Sequence, residues 1–339
     1  MFRVENGKLF LRCIQWTSGG IGILLNTILI ILIVYRSPKT LGTYKYLMIY
    51  ISLFELFYCN LDSITEPHAF TYGPVILVFR YFKHSIFGRK EGFYLVLLYC
   101  GSFGLSIALF AVHFIYRYGV ADNNFRKKYL MGHRLMALCS MPLVCGACWA
   151  GIEIFLFRSS FESDSFMRIP LLQGYDSRIE DISYMVLWFY VPSINGQLKP
   201  NWSAFIGMLG LWLMMSSSFF CVFYFGINCY IKISKALKKS KMSSYYTRSI
   251  QHQLFQALVI QTLIPVVLMY VPAGIVFVFP MLNIEVGFVS SFVTATIAIY
   301  PAVDPLPTMF LVESYRKTIL CGCQKDTKTT SGNSADLQN

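Results

Sequence analysis

Charge is what this sequence has least of. Asp, Glu, Lys and Arg together make up 14% of its 339 residues, where a soluble globular chain carries about a quarter. Hydrophobic residues reach 55% and aromatics 17%, and the mean hydropathy is +0.53. An aqueous fold could not hide that much apolar surface, so lipid is the expected solvent. Acids are scarcer still than bases: 17 Asp and Glu against 29 Lys and Arg leave a net charge of +12. A nucleic-acid partner would need a basic face on a soluble fold. Here the basic residues sit in gaps between apolar runs, so topology accounts for them and no nucleic acid is expected.

Other absences narrow the function. The ten cysteines form no paired metal-ligand set, because Cys145 and Cys148 lie inside an apolar run and Cys321 and Cys323 are separated by one residue. No Ser-His-Asp arrangement or His-rich group falls at one membrane depth. No metal, cofactor or enzymatic activity is therefore expected. No internal repeat, Pro-rich or Gly/Ser-rich linker, or soluble domain stands out, so binding and signalling are expected to use the membrane-embedded part itself. Arg3, Lys8 and Arg12 precede the first apolar run like the start of a signal peptide. That run is about twice the usual length and lacks a small-residue cleavage site, so it reads as a span.

What is present is a series of long apolar runs. A helix needs roughly 20 apolar residues to cross about 30 Å of hydrocarbon. Runs of that length fall at 14–35, 44–64, 93–118, 135–157, 203–231, 254–279 and 286–312. They predict an all-α membrane protein, a bundle of seven transmembrane helices. The stretch 72–82 is apolar but short, and Arg80 and Lys83 close it, so it reads as part of a long loop.

Basic residues of short loops stay in the cytoplasm. Arg36, Lys39 and Lys45 flank the first connection; Arg117, Arg126, Lys127, Lys128 and Arg134 the third; Lys232, Lys235, Lys238, Lys239, Lys241 and Arg248 the fifth. Asp122 is their only acid. The connection 158–200 instead carries Glu162, Asp164, Asp176, Glu180 and Asp181 against four basic residues. The N-terminus is therefore expected outside and the C-terminus inside, although Arg3, Lys8 and Arg12 leave the first helix's own flanks nearly tied.

Several residues stand out within this frame. Glu55, Glu153 and Asp304 are acids at membrane depth, each costing about 2.5 to 3.5 kcal/mol near mid-bilayer. Glu55 and Asp304, with Pro305, predict a polar switch or ion site between the second and seventh helices; the alternative is a hydrogen-bonded pair that only fixes packing. For Glu153, nearer the outer boundary, packing is the better reading. Arg117 closes the third helix, where snorkelling toward phosphates accounts for it from position alone and docking to a partner is the functional alternative. Pro265 and Pro272 in the sixth helix, and Pro301, Pro305 and Pro307 in the seventh, remove backbone donors and predict hinges. Tyr94, Tyr99, Phe103, Met208, Trp212, Met269, Tyr270, Phe288 and Phe292 lie in outer halves of helices and collectively suggest an apolar cavity. Tyr94 and Trp202 also suit an interfacial belt.

After Val312, residues 313–320 place Val312, Tyr315 and Ile319 on one helical face and Arg316 and Lys317 on another. This predicts a short amphipathic helix on the inner leaflet. Cys321 and Cys323 sit where palmitoylation would reinforce it. Residues 1–320 form the expected membrane domain and 321–339 a short polar cytoplasmic tail, disordered by composition. Asn201-Trp202-Ser203 is a glycosylation acceptor pattern on the outer side, close to the fifth helix.

Four stretches carry a family resemblance: LGTYKYLMIYISLFELFY at 41–58, HFIYRY at 113–118, QTLIPVVLMYVPAG at 261–274 and YPAVDPLPTMFLVESYR at 300–316. Together they resemble the Str class of nematode serpentine receptors over nearly the whole chain short of its tail. The resemblance implies a G-protein-coupled chemoreceptor, olfactory in role, in the ciliary plasma membrane of chemosensory neurons. It implies a small odorant or pheromone ligand and a heterotrimeric G protein, whose α subunit would meet Arg117, Tyr118, Lys238 and Lys239. Arg117 matches the arginine that closes the third helix of rhodopsin-like receptors, but Tyr116 stands in place of their acid. Asp304-Pro305 matches the Asn/Asp-Pro pair of their seventh helix, with Thr308 in place of their tyrosine. No cysteine falls between 158 and 200 for their outer-loop disulfide, so other contacts must hold that loop. The competing reading, a transporter or ligand-gated channel with Glu55, Glu153 and Asp304 along a path, predicts inverted repeats and paired broken helices. Neither is apparent.

Overall fold

The computed structural model describes residues 2–37, 41–83, 85–193, 197–239 and 245–321, without the side chains of 2–4, 236–239, 245–249, 251, 288 and 321. Helices α1 (Phe2–Arg36) and α2 (Tyr44–Thr65) lead into strands β1 (His68–Tyr72) and β2 (Val75–Tyr81). Next come α3 (Arg89–Ala121), α4 (Asn123–Tyr129), α5 (His133–Leu156) and α6 (Phe161–Tyr175). Strands β3 (Ile182–Trp188), β4 (Tyr190–Pro192) and β5 (Leu198–Pro200) precede α7 (Trp202–Lys239). The rest is helical: α8 (Tyr245–Pro265), α9 (Val271–Met281), α10 (Ser291–Val303), α11 (Pro305–Leu311) and α12 (Glu313–Cys321).

Six of these helical stretches are long and apolar enough to cross a membrane, and α10 to α12 complete a seventh that bends by 98° after Leu311. The bend falls at Val312, which leaves the helical region with φ −80 and ψ 110. The seven-helix bundle read from the apolar runs is thus present, with α12 turned away from its end. Burial sorts the helices: 78% of the most apolar window of α3 is buried but only 17% of that of α5. The α3 helix is therefore the axis of the bundle, and α5 faces lipid with side chains such as Leu143 and Phe155.

Small residues let the two helices approach, as they do where lipid supplies no hydrophobic drive between helices. A Cβ on Gly104 of α3 would lie 2.6 Å from the ring of Trp149 on α5. Trp149 is itself fully enclosed and has no room to retreat. Gly104→Leu is expected to force the helices apart at a cost of about 1 to 3 kcal/mol. It should shift tryptophan emission and lower the melting temperature of the detergent-purified protein; an unchanged spectrum and melt would refute this packing.

The prolines act on the sixth span in a specific way. Between Pro265 and Pro272, the helix widens into one π turn, Val266–Tyr270. Proline donates no hydrogen bond and its ring presses on the carbonyl four residues back, here Leu268. A wider turn relieves the clash and leaves a local break in the ladder.

Above the bundle lies a β-sheet that the apolar pattern does not reveal. It has the antiparallel order β1-β2-β3, with Leu77 opposite both Phe70 and Val186. Residues 72–82, read as loop, supply its central strand. Val75, Leu77 and Phe79 pack toward α6 with Met167, Leu171 and Tyr175, while Ile76 and Val78 pack toward the helices. Both faces are buried in apolar surroundings, so the period-2 alternation of a half-exposed strand is erased. Arg80 turns back to donate from Nε to the Thr65 carbonyl at 3.1 Å, at the end of α2, where a cation favours the helix dipole.

The same cap accounts for Lys8 and Arg12, two of the basic residues that precede the first span. Lys8 Nζ donates to the Asp176 carbonyl at 3.2 Å and to Ser177 Oγ at 3.0 Å, and Arg12 pairs with Glu66 at 3.1 Å. These cations bind an acidic outer cap and carry no inward topology signal. Strand pairing, the α6 cluster and these bonds hold the 158–200 connection, and Cys100, the cysteine near the outer end of α3, is free.

His68 makes part of the cap sensitive to acid. Its Nδ1 lies 2.8 Å from the Tyr175 hydroxyl, an arrangement that suits a neutral ring accepting from the phenol. Burial first, then the nearby Lys8 and Arg12 charges, push the imidazole down to about 3. Folding thus favours the neutral form, and its contribution is complete above about pH 6.5 and is lost as pH falls toward 3. Hydrogen exchange of β1 amides, corrected for intrinsic rate, is expected to accelerate as pH drops below 6.5 in the wild type but much less in His68→Gln. Equal acid sensitivity in both would rule out the histidine.

Candidate functional site

Beneath the sheet, α3, α5, α7, α9 and α10 enclose an apolar cavity of about 80 Å³, room for several waters or a small organic molecule. Ile76, Val78 and Leu187 of the sheet roof it, while Tyr99 and Phe103 of α3 and Trp149 of α5 form one wall. Leu211, Val276 and Ile297 come from α7, α9 and α10. Glu153 also reaches this lining, and its Oε1 accepts from Trp149 Nε1 at 3.0 Å.

Of the aromatic and sulfur-bearing set named from sequence, the structure brings Tyr99 and Phe103 to the cavity. Tyr270 stands against Phe103, edge to face with ring centroids 5.5 Å apart, and its hydroxyl lies 3.0 Å from Ser106 Oγ. Met208 and Met269 are fully buried in the surrounding core. Trp212 packs beside Gly274, Phe292 is exposed, and the Phe288 side chain lies outside the described residues. Tyr94 and Trp202 are exposed near the outer end, as interfacial aromatics are. On α10 it is Val293, Thr294 and Ile297 that line the cavity.

Toward mid-bundle the acids meet. Glu55 and Asp304 are both buried, and their carboxyl groups are close electrostatic neighbours. Gln261 Nε2 donates to the Asp304 carbonyl at 3.1 Å and to its Oδ2 at 3.0 Å, while Thr308 Oγ1 donates to Gln261 Oε1 at 3.0 Å. The Tyr300 hydroxyl donates to Glu55 Oε1 at 3.5 Å, and Asn26 Nδ2 to the Pro301 carbonyl at 2.9 Å. That last carbonyl is available because Pro305, four residues on, has no N–H to give it. One network thus ties α1, α2, α8, α10 and α11. Sequence reading named its two acids and Pro305 but not Asn26, Gln261 or Tyr300, although uncharged polar residues inside apolar runs were the available signal.

At the inner end, Arg117 does not snorkel. It is 1% exposed, and its guanidinium sits over the Tyr44 ring, 4.8 Å from the centroid. Position at a helix end suggested lipid access, but α3 is the axis and helices surround its end. Tyr118 lies nearby, ring to ring with Phe125 and Phe225. Asp122, the lone acid of the inner connections, caps α4 by accepting from Asn124 N at 3.0 Å and Phe125 N at 3.2 Å, and pairs with Lys232 of α7. The Lys232 bond holds the Asp122 carboxyl down at about 2. Between α7 and α8 opens a crevice of about 720 Å³ lined by Phe114, Tyr230, Phe255 and Leu311 among others. Below it, α12 is anchored by Tyr315, which is buried with its hydroxyl 2.7 Å from Ser37 Oγ. The side chains of Lys238, Lys239 and Cys321, and all of Cys323 and the tail, lie outside the described residues. Asn201 is half-buried at the start of α7, its N–H bonded to the Phe189 carbonyl at 2.8 Å.

A central third helix, a proline-broken sixth, and a seventh that ends in a right-angled turn define a seven-helix membrane receptor fold. Squid rhodopsin superposes with a TM-score of 0.55 at 16% identity, covering 98% of this chain and 86% of that one; that likeness is one of fold. The family model described as "Serpentine type 7TM GPCR chemoreceptor Str" matches residues 11–320, and the chain belongs to that family. Among its relatives, "G-protein coupled receptor str-217" of Caenorhabditis elegans is 32% identical over 94% of this chain and 93% of its own. "Serpentine receptor class r-10" of the same nematode is 30% identical over 94% of each. The protein is thus a multi-pass membrane receptor of a nematode chemoreceptor family, and that family is not one of enzymes.

Proposed function

We propose that this receptor binds a small external odorant or pheromone in the outer cavity and activates a heterotrimeric G protein inside, acting in the ciliary membrane of chemosensory neurons. The observation that carries this reading is the place of Tyr270. Its ring packs on Phe103 in the cavity wall, and it belongs to the π turn that interrupts the sixth span. A molecule that displaces this wall presses on the hinge. The inner half of α8 would then pivot from α7 and widen the crevice, while the Glu55–Asp304–Pro305 network re-forms around Gln261. Only a ligand with higher affinity for the open state shifts the population toward it.

On this reading the α subunit enters the crevice and meets Arg117 and Tyr118, with Lys238 and Lys239 steering it by charge. Residues 1–320 are the signalling unit and 321–339 a short polar cytoplasmic tail. Palmitoylation of Cys321 and Cys323 would fasten α12 to membrane lipids, and Asn201 is the candidate glycan acceptor. The test is nucleotide exchange on purified G proteins by the receptor in lipid nanodiscs, screened against volatile and water-soluble metabolites. At least one compound should accelerate exchange through one Gα class. A folded receptor that accelerates none, with any compound and any Gα, would overturn the reading.

A further inference from the structure

One side chain lining the cavity is not accounted for by packing. Glu153 is 6% exposed and reaches from α5 a lining whose other polar groups are the Tyr99 phenol, the Thr294 hydroxyl and the Cys100 thiol. Its Oε1 accepts from the Trp149 indole at 3.0 Å, and Cys100 shares the lining beside it. Its Oε2 has no hydrogen-bond partner among the described residues. The indole donates, so it presents this carboxyl as an acceptor, and an ionised carboxylate accepts only. Among the described residues no Lys, Arg or His lines the cavity, and a buried carboxylate without a counter-cation is costly. A donor that brings positive charge would both pair the free oxygen and offset that cost.

We propose that the cavity selects small aliphatic amines, with the ammonium on Glu153 Oε2 beside the Trp149 ring and the alkyl body against Phe103, Leu211, Val276 and Ile297. The volume limits the ligand to a few heavy atoms. This inference rests on the reading of the cavity as the ligand site.

The test compares isoamylamine with isoamyl alcohol, which has the same carbon skeleton but no charge, by ligand-induced thermal stabilisation of the purified full-length receptor. The amine is expected to bind at least about tenfold tighter than the alcohol. Glu153→Gln should shrink the amine's advantage over the alcohol to less than about twofold, and Glu153→Asp should keep it. Wild-type protein that binds the amine no tighter than the alcohol overturns the proposal, and this comparison needs no variant to fold. A Glu153→Gln variant that weakens both ligands equally overturns it too, because a packing role would act that way. Binding is read without a G protein, so the two readings fail separately. Amine binding without nucleotide exchange through any Gα supports the amine site and sinks the receptor function. Exchange driven by the alcohol alone sinks the amine site and supports the receptor.

Discussion

Replacing Arg117 with alanine is expected to cut receptor-stimulated nucleotide exchange at least about tenfold, the usual scale for losing a buried arginine anchor at an interface. Surface expression should stay within about twofold of wild type, as expected of a residue whose main role is in coupling. Arg117 is enclosed with Tyr44 at the inner end of α3 and becomes available only if the neighbouring helices part. Arg117→Lys should recover part of the signal, because a lysine keeps the charge but not the planar fork. Exchange assays in nanodiscs check both variants. Unchanged coupling in Arg117→Ala would remove this residue from the G-protein interface.

Asp304→Ala is expected to destabilise the receptor by about 2 to 4 kcal/mol, because a buried donor stripped of its acceptor loses more than the bond itself. The donor is Gln261, which gives its amide to Asp304 and in turn accepts from Thr308. The alanine would leave a hole in a network that spans five helices. Asp304→Asn should melt close to wild type, since its side-chain oxygen still accepts from Gln261 and its amide can donate to Glu55. Thermal unfolding of the two purified variants separates the cases. Equal melting of Asp304→Ala and wild type would show that the network contributes nothing to the fold.

Seven spans were legible because length and apolarity alone define them, and the turn at Val312 because polarity changes there. The meeting of Glu55 and Asp304 was legible because acids at membrane depth must face protein. The phase of each helix was not. In lipid both faces of a helix are apolar, so nothing in composition told that Ile297 of α10 would line the cavity while Phe292 is exposed. Residues 75–81 were hidden for a related reason, since a strand covered on both faces has no alternation to read. Arg117 required the third dimension: its burial follows from the central place of α3, which no local pattern encodes. Trp149 and Glu153 became a pair only because four residues on a helix share a face.

On the proposed mechanism, the outer cavity and the inner crevice are joined through the break in the sixth span. Spin labels at Arg126→Cys on α4 and His252→Cys on α8, in an otherwise cysteine-depleted receptor, report the separation of the inner ends by pulsed dipolar spectroscopy. Nucleotide-free G protein should populate a second, longer distance, and Pro272→Ala, which removes one cause of the break, should reduce it. A single unchanged distance under every condition would contradict the account.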